Sequence, residues 1–96
     1  AIIPTIITQL LRGANEIQLG DLRPTRDFIF VEDHTAALLA IAQSSDLIGE
    51  VVNVATGEDI SIGDLASKLI DKIKPGTSII QDQARIRPSQ SEVLRL

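Results

Sequence analysis

The segment Ser61–Ile73 (SIGDLASKLIDKI) limits the fold more than any other stretch, because it admits one reading. Ile62, Leu65, Ala66, Leu69, Ile70 and Ile73 recur at helical spacing and form one apolar stripe. Asp64, Ser67, Lys68, Asp71 and Lys72 form the opposite face, with Asp64 and Lys68 in a favourable i,i+4 relation. Ser61 stands where an N-cap belongs. Asp64, three residues on, completes a capping-box-like pair in which Asp replaces the usual Glu. Pro75-Gly76 ends the helix.

The other segments are placed around this helix. Ile3, Ile6, Ile7, Leu10 and Leu11 also follow helical spacing, with Pro4 suited to a first turn and Gly13 to the position just past the end. Glu16–Leu19 alternates polar and apolar, as a short strand does, and Gly20–Thr25 reads as a turn. Asp27–Val31 reads as a second strand, followed by a helix from about His34 to Gln43 capped by Asp33, with Leu38, Ile41 and Ala42 on one face. Glu50–Ala55 (EVVNVA) is rich in β-branched residues and reads as a buried strand. Ser78–Gln81 reads as a last strand before a polar, basic tail from Asp82 onward. The order helix, strand, strand, helix, strand, helix, strand predicts an α/β fold, with residues 1–96 as one unit.

Composition narrows the function. At 96 residues the chain is one domain or one piece of a larger one. With 44% hydrophobic residues it is too apolar to be disordered. It has no cysteine, which excludes disulfides and thiolate metal sites and agrees with a cytoplasmic location. The net charge is −4 and the nine basic residues are scattered, apart from Arg85, Arg87 and Arg95, so nucleic acid is not an expected partner. No apolar run reaches the roughly 18 residues of a membrane span. The apolar N-terminus lacks a basic leader and a cleavage site, so it is not read as a signal peptide. It begins without Met and in mid-pattern, as a fragment does.

Several kinds of chemistry are missing. The six glycines, at positions 13, 20, 49, 57, 63 and 76, form neither a dinucleotide-binding loop nor a P-loop. There is no Tyr and no Cys. His34, the single histidine, falls in the first turn of an expected helix and reads as a surface residue. Glu32 and Asp82 read as solvated surface and Asp33 as a cap, not as an acid/base pair, and no metal site is expected. What remains is arginine. In RPTRDFIFV two arginines and an aspartate sit against an apolar run, with Arg26 at the mouth of the expected strand and Arg87 in the tail. A guanidinium offers a rigid fork of donors suited to phosphate. The residues alone leave a second reading open, in which Arg26 pairs with a nearby carboxylate and Arg87 is solvated.

Taken together, RDFIFVEDHTAALLAIA, GEVVNVATGEDISIGDLASKLI and RIRPSQSEVLRL resemble the C-terminal part of extended short-chain dehydrogenases/reductases, the NAD-dependent nucleotide-sugar epimerases and 4,6-dehydratases. The opening IPTIITQLLRG…EIQLGDLRPTRDF is similar to the segment that follows the Rossmann core in that family. The blocks look nearest to UDP-N-acetylglucosamine 4,6-dehydratases of legionaminic-acid-type pathways.

The resemblance implies a C-terminal fragment of that fold, lacking the glycine-rich Rossmann half. It implies that Arg26 contacts a nucleotide-sugar diphosphate, oriented by Asp27. It further implies that Asn53 lies beside the nucleotide, that Arg87 also contacts it, and that Glu92 accepts a ribose hydroxyl. The family's glycine-rich NAD loop and Tyr-x-x-x-Lys pair have no counterpart in these 96 residues. The chain is therefore expected to bind a UDP-sugar or similar nucleotide-sugar, to bind no NAD by itself, and not to catalyse alone the family's oxidation at C4, loss of water across C5 and C6, and hydride return. Self-association is expected to cover faces left without a Rossmann core, with the N-terminal helix (residues 3–11) and the VVNV strand as the candidates. A free-standing, non-catalytic nucleotide- or protein-binding module derived from the same fold is the alternative, and a purely structural role is a third reading.

Overall fold

A computed structural model describes residues 1–85 of the chain. They belong to two compact units. One is formed by Ala1–Arg26 together with the chain from Ile60 onward, and the other by Asp27–Asp59.

The first unit is built on two helices and a parallel strand pair. Helix α1 (Ile2–Leu11) buries Ile6 and Leu10. Strand β1 (Glu16–Leu19) alternates as its sequence predicts, with Ile17 and Leu19 buried and Glu16 and Gln18 exposed. Strand β2 (Thr25–Arg26) pairs antiparallel with β3 (Ile60–Ser61), Thr25 opposite Ser61 and Arg26 opposite Ile60. Helix α3 (Ile62–Ile73) buries Ile62, Ala66 and Ile70 from its apolar stripe. Strand β4 (Ser78–Gln81) pairs in parallel with β1, from Glu16 opposite Ser78 to Leu19 opposite Gln81. Ile6, Leu10, Ile17, Leu19, Ala66 and Ile70 form the core, with Ile2, Leu22, Leu65, Leu69, Ile73 and Ile79 packed around it.

The ends of these elements are satisfied locally. At the start of α3, Ser61 Oγ accepts from the Asp64 amide at 3.0 Å, so the expected N-cap forms. The Ile62 and Gly63 amides donate to the Pro24 and Leu22 carbonyls, which ties the Leu22–Pro24 turn to the helix. On the side of β1 away from β4, the Gln9 side-chain amide acts as a short strand. Its Nε2 donates to the Gln18 carbonyl at 3.0 Å and its Oε1 accepts from the Gln18 amide at 2.8 Å. Lys74 Nζ reaches back to the Gly13 and Ala14 carbonyls at 2.6 and 2.8 Å, where a cation complements the carbonyls leaving α1. Gly20 is obligatory for a different reason: a Cβ there would lie 2.5 Å from the Arg85 carbonyl oxygen. The Gln83–Arg85 turn rests directly on that backbone.

The second unit is organised differently. Helix α2 (Val31–Gln43) has no buried residue. It starts three residues earlier than its sequence suggests. Phe30, not Asp33, is the N-cap, and no side chain caps the helix. Asp33 and Glu32 instead occupy its first turn, where negative charge complements the helix dipole. A short 3-10 turn follows at Ser45–Leu47.

Two expected strands are not formed among the described residues. In Asp27–Val31, pairing ends at Arg26 and the chain then passes into α2. Glu50–Ala55 has no strand partner, and Val51, expected to be buried, is 95% exposed. Strand propensity reflects how well a side chain fits a pleated, half-buried surface, so it creates no ladder where none is supplied.

Candidate functional site

The charge cluster around Arg23–Asp27 contains three arrangements. Arg23 belongs to Asp21. Its Nε and Nη2 fork onto the carboxylate at 2.9 and 2.7 Å, and its backbone amide donates to Asp21 Oδ1 at 3.0 Å. These bonds hold the Asp21 carboxyl down at about 2, below its ordinary 3.8. A D-x-R spacing before a proline was the sequence signal for this clasp.

Arg26 ends β2 and is half-buried, and its Nη1 donates to the Thr25 carbonyl at 2.7 Å. The two-residue ladder to β3 fixes its backbone. The expected strand mouth is therefore the end of a short antiparallel pair.

Asp27, expected to orient Arg26, gives its carboxylate to a turn. Oδ1 accepts from the Thr56 amide at 3.0 Å and from the Thr56 hydroxyl at 2.6 Å. Oδ2 accepts from the Gly57 amide at 2.8 Å. The Thr56 hydroxyl bond comes first among the causes that lower the Asp27 pKa, followed by the Thr56 amide bond, because each donor favours the ionised form. Gly57 has φ +85°, a left-handed conformation that a side chain would strain. Sequence reading missed this knot, since its partners are separated by 29 and 30 residues.

Asn53 is exposed and lies three residues before this turn, in the second unit, whereas Arg26 lies in the first. Arg87 and Glu92 lie outside the described residues. His34 is an exposed residue of α2, as its position suggested. Asp82 is not simply solvated: it accepts from the Ala84 amide at 3.0 Å and faces Arg85 Nε at 3.6 Å, so it shapes the last turn.

In the first unit, Pro4, Thr5, Thr8, Gln9, Arg12 and Arg85 line an open depression of about 330 Å³. Gln9 in that wall is already committed to Gln18. Among the described residues no group of three or more His, Asp or Glu side chains could hold a metal ion. No described helix is long and apolar enough to cross a membrane.

The α/β arrangement is that of epimerase- and reductase-type enzymes. The structure of RMD from Pseudomonas aeruginosa complexed with NADPH superposes with a TM-score of 0.79 at 28% identity, covering 99% of this chain and 32% of that one. Residues 1–55 match the model of the NAD dependent epimerase/dehydratase family, and the chain belongs to that family. It is 33% identical over 82 residues to a GDP-6-deoxy-D-mannose reductase of Pseudomonas aeruginosa, a match covering 85% of this chain and 27% of that protein. It is 30% identical over 95 residues to a Methanocaldococcus jannaschii protein provisionally named UDP-glucose 4-epimerase, covering 99% of this chain and 29% of that one. The chain thus spans less than a third of the length of these relatives.

Proposed function

We propose that the chain supplies the nucleotide-diphosphate side of the substrate site in an NAD-dependent nucleotide-sugar epimerase or 4,6-dehydratase. The observation that carries this reading is the family match over residues 1–55, which contains both Arg26 and Asn53. Arg26 holds the diphosphate. It suits that task because its backbone is pinned in the β2–β3 ladder, so less freedom is lost when it meets an anion. Asn53 lies beside the nucleotide, Arg87 adds a second guanidinium and Glu92 accepts a ribose hydroxyl.

The 96 residues hold no glycine-rich loop and no tyrosine, so the nicotinamide cofactor and the proton-transfer residue come from elsewhere in a full enzyme. Alone, the chain binds nucleotide without turning it over. Its location is cytoplasmic, and it self-associates through the apolar side chains of its second unit.

The finer assignment, a UDP-N-acetylglucosamine 4,6-dehydratase, rests on the RDF, NV and R-P blocks. The named relatives act with GDP- and UDP-sugars, so the nucleotide is the point to test. Titration of the chain with UDP and with GDP, followed by amide NMR, is expected to move resonances near Arg26 and Asn53 with UDP preferred. Arg26→Ala and Arg87→Ala are each expected to weaken binding about tenfold or more, the effect of losing one charge-assisted contact. A GDP preference overturns the dehydratase assignment. Indifference to both nucleotides overturns the site.

A further inference from the structure

The three donors gathered by the Asp27 carboxylate carry more than loop closure. Thr56 N, Thr56 Oγ1 and Gly57 N converge on its two oxygens within 3.0 Å. The Thr56 hydroxyl also accepts from the Glu58 amide at 3.1 Å, so the turn is bonded on both sides of Gly57. The Thr35 hydroxyl, by comparison, bonds only within its own helix, to the Val31 carbonyl, and Thr56 otherwise bonds Glu58, two residues on. No residue of α2 is buried, and Val51 and Val52 are exposed. Packing therefore does not fix the path of the Val51–Ala55 segment. The Asp27 knot ties down its far end, three residues beyond Asn53.

We propose that Asp27 is a positioning residue for nucleotide binding, holding the Thr56–Gly57 turn and with it the segment that bears Asn53. The inference rests on the nucleotide reading of Asn53 given above. A carboxylate suits the role better than an amide. It offers acceptors on both oxygens at once, whereas Asn would turn an N–H toward one of these donors.

The test is UDP titration of the chain, read by amide NMR, for wild type, Asp27→Ala, Thr56→Val, Asn53→Ala and the Asp27→Ala/Asn53→Ala pair. Asp27→Ala is expected to raise the Kd for UDP about tenfold, and Thr56→Val about threefold because the two backbone donors remain, sizes typical of coupled neighbours. In the Asn53→Ala background, removing Asp27 is expected to add less than about a twofold loss, since its effect passes through Asn53. A purely structural role predicts independent, multiplying losses in the pair, and that result overturns the proposal. Wild-type affinity in both Asp27→Ala and Thr56→Val overturns it as well. If Asp27→Ala loses amide dispersion, the Thr56→Val ratio and its coupling to Asn53 decide by the same criteria. If wild type itself ignores UDP and GDP, the nucleotide reading fails first and this inference falls with it, an outcome separate from loss in the variants alone.

Discussion

The two units draw on the same aliphatic alphabet and use it in opposite ways. All seven buried hydrophobic residues of the described chain, Ile6, Leu10, Ile17, Leu19, Ile62, Ala66 and Ile70, lie in the first unit. Of the nine exposed large hydrophobics, seven lie in the second: Phe30, Val31, Leu38, Leu39, Ile48, Val51 and Val52. The difference is one of pattern. Helix α3 concentrates its apolar residues in one stripe, which two strands and α1 can cover. In α2 the run Ala36–Ala42 is apolar on every side. A helix of that kind is normally enclosed, and 33 residues cannot enclose their own central helix. Within the second unit, hydrogen bonds of the Asp27 carboxylate tie residues 56 and 57 back to residue 27 instead.

Truncation in the core gives the sharpest test of this contrast. Ile17→Ala, at a fully buried site, is expected to cost about 3 kcal/mol in denaturant melts. Leu38→Ala, at a site 53% exposed, is expected to stay within about 0.5 kcal/mol. Equal costs would erase the distinction between the units. Association comes next. Light scattering is expected to show concentration-dependent self-association of the chain, reduced by Leu39→Glu on the exposed apolar surface of α2. A monomer at high concentration refutes that expectation. Ser61→Ala is smaller: loss of the N-cap bond to Asp64 should remove about 1 kcal/mol, with no change in α2.

The smallest effect belongs to pH. The Asp21 carboxyl sits at about 2 in the folded chain against 3.8 ordinarily. Between those values the unfolded chain binds more protons, so the contribution is full above about 3.8 and is lost as the pH falls toward about 2. Because the Arg23 side chain is 82% exposed and solvent screens its charge, the acid limb should be shallow, and Arg23→Ala should flatten it further.

Local signals in the sequence were sufficient where the partner lay within the same element or its cap. The α3 stripe, the Ser61 cap, the alternation of β1 and the last strand at Ser78–Gln81 all formed as their residues indicate. Readings failed where an element depends on something supplied from outside it. Val51–Val54 has strand chemistry and no ladder, and Phe28–Phe30 runs past the end of its pairing. Asp33 looked like a cap because it precedes an alanine-rich run, but helical geometry had already begun at Val31. The site was legible only in part. The RDF block pointed to Arg26 as a candidate, whereas the bonds of Asp27 to Thr56 and Gly57 have no signature in spacing. A T-G pair downstream of an R-D pair acquires meaning only once the chain has folded back 30 residues.

The pairing of β1 with β4 has a consequence for synthesis. Residues 16–19 emerge from a ribosome well before residues 78–81, yet the parallel ladder joins them. Until Gln81 is out, Ile17 and Leu19 have no strand beside them, and only α1, through Ile6, Leu10 and the Gln9 clasp, precedes them to cover them. At about 5–20 residues per second that wait lasts several seconds, far longer than helix formation needs. The nascent chain therefore carries Ile17 and Leu19 without their strand partner throughout that wait, and Ser78–Gln81 acts as the latch.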